Sequence, residues 1–244
     1  MTRPHTSHDA SLVFWLSVCQ LISWGSVFYG FAVFLEPVEH ALQIGRAESS
    51  LAFSLALLAK TGMISYAGPT ACFDFGGTKT EILTTEIFGE AMRGELEILS
   101  FETQDADAVD CRGVLWGGNL AMLTSLIGTP YLPKIKGGIL FVEDVGEHPY
   151  RIERMLNQLA QAGVLGKQKA LLLGGFTEYK LAAHDQGYDL KEAIKYIRKS
   201  VGIPVITGLP YGHTEVKATL PIGAKIGLAT EKGLAYLVLD EHEH

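Results

Sequence analysis

Hydrophobic and polar positions divide this chain of 244 residues into two stretches of different character. From Ser11 to Leu35, "SLVFWLSVCQLISWGSVFYGFAVFL", 25 consecutive residues include no Asp, Glu, Lys or Arg. At about 1.5 Å per residue, a helix of that length exceeds the roughly 30 Å hydrocarbon core of a bilayer. The pattern therefore predicts one transmembrane helix over about 11–35, with Trp15, Trp24, Phe28 and Phe31 as bulky lipid-facing residues. A secretory signal fits less well, because its apolar core is about 7–15 residues and ends at a small-x-small cleavage site. A buried soluble helix is the plain alternative. The second apolar piece, Leu51 to Ala59, stops at Lys60 and is too short to span, so it reads as a soluble or interfacial helix. Lys60 to Pro69 then reads as a chain leaving a helix, making a short strand and turning at Gly68-Pro69.

Beyond that turn, strand and helix signals alternate. "RGVLW" is a strand ending at Gly117-Gly118-Asn119, and "LAMLTSLIG" follows as a helix. "GGILFVEDV", Gly137 to Val145, is a continuous apolar run of the kind buried on both faces of a sheet. Pro149 suits the first turn of the next helix, whose apolar face is Ile152, Met155, Leu156 and Leu159 and whose stop is Gly163. "KALLLGGF" is another buried strand. "DLKEAIKYIRKSVG" is a helix capped by Asp189, with Glu192 three residues on and Gly202 as its end. "IPVITGLP" gives a further strand, and "KATLPIGAKIGLAT" with "GLAYLVL" gives short closing strands. Strand-helix repetition of this kind predicts an α/β fold with right-handed crossovers and a mainly parallel sheet.

Composition narrows the function classes. The formal net charge is −7, which argues against nucleic acid as a partner because phosphate binding needs clustered Lys and Arg. The 3 cysteines, Cys19, Cys72 and Cys111, are too scattered for a disulfide framework or a zinc site, and no metal or cofactor is expected. "FDFGGTKTE" lacks the Walker spacing between its glycines and Lys79.

In such a sheet, ligands bind beyond the carboxyl ends of the parallel strands. Glu143 and Asp144 lie at one such end, after "ILFV". A carboxylate there either caps a helix or ties a loop, or else orients an imidazole. His213, in "GLPYGHTEVKATLPIG", lies past another strand end. Alone it reads as a loop bystander; beside Glu143 it would be a general base with its orienting acid. The pair has no obvious nucleophile, because the chain contains no G-x-S-x-G elbow. Gly117, Gly118 and Asn119 open a helix, where Asn119 is an N-cap or the free amides line a substrate site.

"GVLWGGNLAMLTSLIGTPYLPKIKGGILFVEDVGEHPYRIERML" and "ITGLPYGHTEVKATLPIGA" strongly resemble the bacterial LD-carboxypeptidases, the muramoyltetrapeptide carboxypeptidases of murein recycling. The resemblance runs over about 57–239, giving a domain of 57–244 after a segment of 1–56. It implies a serine-type peptidase that releases the terminal D-alanine of murein tetrapeptide in peptidoglycan recycling, normally in the cytoplasm and without a metal. A second copy of the chain is a further partner on this reading. Glu143 matches the family's triad glutamate and His213 its triad histidine. Gly117, Gly118 and Asn119 would border the bound peptide.

Two features depart from the family pattern. Neither the Gly-rich "RGGYG"-type loop nor the "G-x-S-D" turn that carries the family's nucleophile occurs in the sequence. Counting back without a gap puts Glu48 at the nucleophile's position, followed by Ser49 and Ser50 in a helical context. Residues 1–56 instead resemble the start of a major facilitator transporter, with its first span, a loop and the opening of its second. The chain thus reads as a join of two families near Ala56 to Lys60. The expectation is a membrane-associated fusion that retains the peptidase fold without its activity, or a membrane-anchored module that binds murein peptide without cutting it.

Overall fold

The structure, a computed structural model, describes residues 64–70, 74–75, 81–104 and 106–239. The expected span at 11–35, the transporter-like segment, the boundary at 56/57 and the glycine loop at 76–77 lie outside the described residues. So do Glu48, Ser49 and Ser50. Among the described residues, no helix is long and apolar enough to cross a membrane.

Strand β1 (Ser65–Ala67) is followed by helix α1 (Ile82–Arg93). The Glu81 carboxylate caps α1 by accepting from Thr84 N at 2.6 Å, and Gly94, with φ +71°, ends it. Thr84, Ile87 and Ala91 form its buried face. Strand β2 (Ile98–Glu102) alternates strictly, with Leu99 and Phe101 turned inward.

The core then builds through β3 (Asp110–Asn119), α2 (Leu120–Ser125), β4 (Ile139–Val145), α3 (Pro149–Gln161), β5 (Ala170–Thr177), α4 (Leu190–Val201) and β6 (Val205–Thr207). Three short strands close the chain: β7 (Leu220–Ile222), β8 (Lys225–Glu231) and β9 (Leu234–Val238). The main sheet has 7 strands in the order β2-β9-β8-β3-β4-β5-β6. Strands β3 to β6 pair in parallel, whereas β8, β9 and β2 continue the sheet antiparallel. The α/β expectation stands, and its parallel block is where the buried runs placed it. The sheet as a whole is mixed because the short closing strands are joined by tight turns, and a tight turn can only reverse the chain. Strand β7 leaves that sheet altogether and pairs antiparallel with β1.

Period-two alternation sorts the core onto the two faces of the sheet. Leu115, Ile139, Phe141 and Leu172 belong to one cluster, with Leu99, Phe101, Tyr211 and Leu228. Trp116, Leu140, Val142 and Leu171 belong to the other, under Leu123 of α2, Leu156 of α3 and Ile197 of α4. This alternation determines how the strand-end residues are used.

Candidate functional site

On β4, Glu143 follows Phe141 by two residues and Asp144 follows Val142 by two. The two carboxylates therefore leave opposite faces of the sheet. Both are almost fully buried, at 4% and 2% exposed. Asp144 points to the helix side. Its Oδ2 accepts from Ala121 N at 2.9 Å, and its Oδ1 accepts from Asn119 Nδ2 at 3.0 Å and Val145 N at 2.9 Å. Asn119 caps α2 in turn, its Oδ1 accepting from Met122 N at 3.0 Å. Asp144 is thus the helix-capping, loop-tying acid of the two alternatives.

Glu143 faces the other way and meets His213, with Oε2 3.4 Å from Nδ1. Strand polarity predicts one sheet edge for both residues, and the fold brings their side chains together from positions 70 residues apart in the chain. A distance of 3.4 Å is long for a charge-assisted bond, but catalytic contacts are often long in the absence of substrate. With Glu143 ionised, Nδ1 carries the proton and donates it to Oε2, which leaves the Nε2 lone pair as the basic position. The His213 side chain is 39% exposed, so a buried acid backs a solvent-accessible imidazole.

Burial pushes the Glu143 carboxyl above its ordinary range; the neighbouring His213 opposes that rise and Asp144 adds to it. Burial likewise raises Asp144, against the hydrogen bonds from Asn119, Ala121 and Val145. Tyr211, packed edge-on against Phe141 at a centroid distance of 5.0 Å, is raised by burial and by the charge of Glu143. For Glu143, a folded pKa above the unfolded one means that its contribution to stability is present below the unfolded pKa. That contribution is lost as pH rises through the folded value. Glu143→Gln is therefore expected to gain stability relative to the unsubstituted chain as pH rises from about 4, the ordinary carboxylate range, toward neutrality. Paired denaturant titrations across that range check the sign, and a gap that shrinks as pH rises would contradict it.

The loop bearing His213 reaches Glu143 because glycines clear its path. Between Val142 and Asp144 the register against β5 slips, so that two β5 residues oppose one of β4. The slip falls at Gly174 and Gly175. A Cβ on Gly174 would lie 2.7 Å from the Tyr211 carbonyl oxygen, and one on Gly175 would lie 2.5 Å from Thr214 Cγ2. Gly175 N donates to that same Tyr211 carbonyl at 2.8 Å. On the loop itself Gly212 has φ +105°, and a Cβ there would meet Glu143 Oε2 at 2.7 Å. None of these three glycines stands out as part of the site in the sequence alone. The available signal was a glycine pair inside a buried apolar run, which marks a bulge or a close backbone approach.

Gly117, Gly118 and Asn119 are buried and continue β3 up to the helix, paired with Phe141, Val142 and Glu143 of β4. Two amides of the first turn of α2, those of Ala121 and Met122, are taken up by Asp144 and Asn119. The strand thus runs through the two glycines, where the sequence reading ended it. Among the described residues no cluster of three or more His, Cys, Asp or Glu is arranged to hold a metal.

This geometry coincides with a known domain. Residues 112–228 match the LD-carboxypeptidase C-terminal domain. That range contains Glu143, His213 and the Gly117–Asn119 segment. A probable murein peptide carboxypeptidase of Bacillus subtilis is 33% identical over 181 residues, covering 72% of this chain and 56% of that protein. The crystal structure of muramoyltetrapeptide carboxypeptidase from Oxalobacter formigenes superposes with a TM-score of 0.73 at 47% identity, covering 76% of this chain and 64% of that one. Microcin C7 self-immunity protein MccF, in complex with glutamyl sulfamoyl guanosine, shares the fold at a TM-score of 0.65 and 23% identity. The chain spans less than two thirds of the length of these relatives. The resemblance read from the "GVLWGGN" and "YGHT" segments to murein peptide carboxypeptidases, which are peptidases and hence hydrolases, is supported over this domain.

Proposed function

We propose that this domain is the acid–imidazole half of a serine-type LD-carboxypeptidase site directed at murein tetrapeptide, whose reaction is release of the terminal D-alanine. The observation that carries the reading is the contact of buried Glu143 with the exposed His213. Its support is the match of the surrounding residues to the LD-carboxypeptidase C-terminal domain. In this role Glu143 orients the imidazole and stabilises the imidazolium. His213 Nε2 takes a proton from a nucleophilic hydroxyl and returns it to the leaving amine.

Among the described residues no hydroxyl bonds the His213 ring; Thr214 Oγ1, its neighbour, donates instead to the Val216 carbonyl at 2.6 Å. The hydroxyls nearest the family's nucleophile position, Ser49 and Ser50, stand in a sequence without the family's sharp glycine turn. Loss of a triad nucleophile costs roughly 10⁶ in kcat. The chain by itself is therefore expected to release no measurable D-alanine from murein tetrapeptide and to resist a fluorophosphonate probe. Labelling of Ser49 or Ser50 that disappears in His213→Ala would overturn this inactivity.

That no hydroxyl among the described residues bonds His213 favours a second reading, a module that holds murein peptide without cutting it. Calorimetric titration with murein tetrapeptide separates the two. Saturable binding without turnover supports the module, and neither binding nor turnover leaves only the inherited fold.

A further inference from the structure

The chain is acidic overall, yet one face of α4 concentrates positive charge. Lys191, Lys195 and Lys199 recur every four residues and so lie in one stripe along the helix. Lys195 Nζ sits 3.4 Å from both oxygens of Glu192. Among the described residues, Lys191 and Lys199 have no carboxylate partner.

Arg198 is held differently. Its Nε donates to the Val205 carbonyl at 3.3 Å, and its Nη2 donates to that carbonyl at 3.1 Å and to the Gln104 carbonyl at 3.3 Å. Two elements therefore fix the guanidinium plane, and among the described residues no acceptor meets Nη1.

Among the described residues, these four cations line a groove of about 560 Å³ with Glu192, Ile194, Gln104 and Thr207. That volume is in the range of small-molecule sites, roughly 300–1,000 Å³. Thr207 ends β6, at the carboxyl side of the parallel strands, where ligands of such sheets bind. A solvated helix face accounts for the lysines one by one. It does not account for an arginine pinned by two carbonyls beside a groove of this size, with a single carboxylate among the described lining residues.

We propose that this groove binds a small molecule bearing two linked phosphate groups. Among the described residues the lining carries a net charge of +3, which a diphosphate of about −3 would neutralise. A single carboxylate ligand would leave most of that charge unmatched. Arg198 supplies the fixed contact, which favours phosphate oxygens, and the lysines supply mobile ones. The site does not involve Glu143 or His213, so it stands or falls apart from the peptidase reading.

The test is calorimetric titration of the full chain with inorganic pyrophosphate at low ionic strength, with orthophosphate and citrate in parallel. Saturable binding is expected, with pyrophosphate favoured over both other anions. Lys195→Glu/Lys199→Glu and the milder Lys191→Gln/Lys199→Gln should each weaken it at least about tenfold, and added salt should weaken it further. Both variants change exposed side chains, and thermal unfolding verifies that they remain folded. Absence of saturable binding in the unsubstituted chain would overturn the proposal, as would affinities equal for citrate and pyrophosphate or unchanged in the folded variants.

Discussion

Gly117→Ala is expected to abolish folding of the domain at 37 °C. Gly117 sits on β3 with φ +140°, a conformation that L side chains rarely adopt. A Cβ built there would lie 1.8 Å from the Phe141 carbonyl oxygen and 2.9 Å from the Phe141 amide nitrogen. Those are backbone atoms of β4, in the middle of the parallel block, and no side-chain rotation relieves the overlap. Overpacking a core commonly costs about 1–3 kcal/mol. A residue forced into a sparsely populated backbone region costs about 1–3 kcal/mol more. Because the overlapped atoms are main chain and the approach is only 1.8 Å, the cost here exceeds those ranges, and a domain with total stability of roughly 5–15 kcal/mol has little margin for it. Loss of the cooperative unfolding transition in urea is the expected readout. Gly166→Ala is a suitable control, since nothing lies within 4 Å of the added carbon. A folded Gly117→Ala protein within about 1 kcal/mol of the parent would show that the β3–β4 approach is looser than described.

Gly117 also illustrates what the sequence could and could not reveal. The buried strands at 139–145 and 170–177 and the capped helices at 149–161 and 190–201 were legible, because each is announced by a local pattern. Pro149 at a first turn, Asp189 accepting from Glu192 N at 3.1 Å, and Gly202 at φ +66° are effects of adjacent residues. Helix α1 was not foreseen. Its cap is a glutamate, an uncommon choice, and its buried face is only Thr84, Ile87 and Ala91. Strand β2 alternates over just five residues beside a charged run. The pairing of β7 with β1 joins segments about 150 residues apart, and no local signal specifies such a partner.

The candidate site divides in the same way. That Glu143 and His213 share a sheet edge followed from strand polarity alone. Which of Glu143 and Asp144 faces the histidine depends on alternation from Phe141 and Val142, and is decided only once each neighbour's core is known. The clearance that lets the Tyr211–Thr214 loop descend onto Glu143 depends on glycines of two distant segments.

Asp144→Ala is expected to destabilise the domain by about 3 kcal/mol or more, through groups that the carboxylate leaves behind. Three donors converge on it: the Asn119 side-chain amide, the Ala121 amide and the Val145 amide. Asn119 is 2% exposed, and water has little access to replace the lost acceptor. A buried donor left unsatisfied costs about 1–3 kcal/mol, and at least two are stranded here. The loss should also reach the neighbouring site, because Asn119 both caps α2 and hydrogen-bonds to Glu143, lowering the Glu143 pKa. Asp144→Asn separates charge from hydrogen bonding. It keeps one acceptor oxygen but aims an NH2 at a second donor, so a loss of about half that size is expected. Glu143→Ala removes a partner from His213, which can turn to solvent, and from Asn119, which keeps its bond to Asp144, and so should cost less than Asp144→Ala. Urea titrations of the three variants at pH 7 test this order. If Glu143→Ala proves the most destabilising, then Glu143, rather than Asp144, ties the strand end to its surroundings, and the division of labour drawn from strand alternation is wrong.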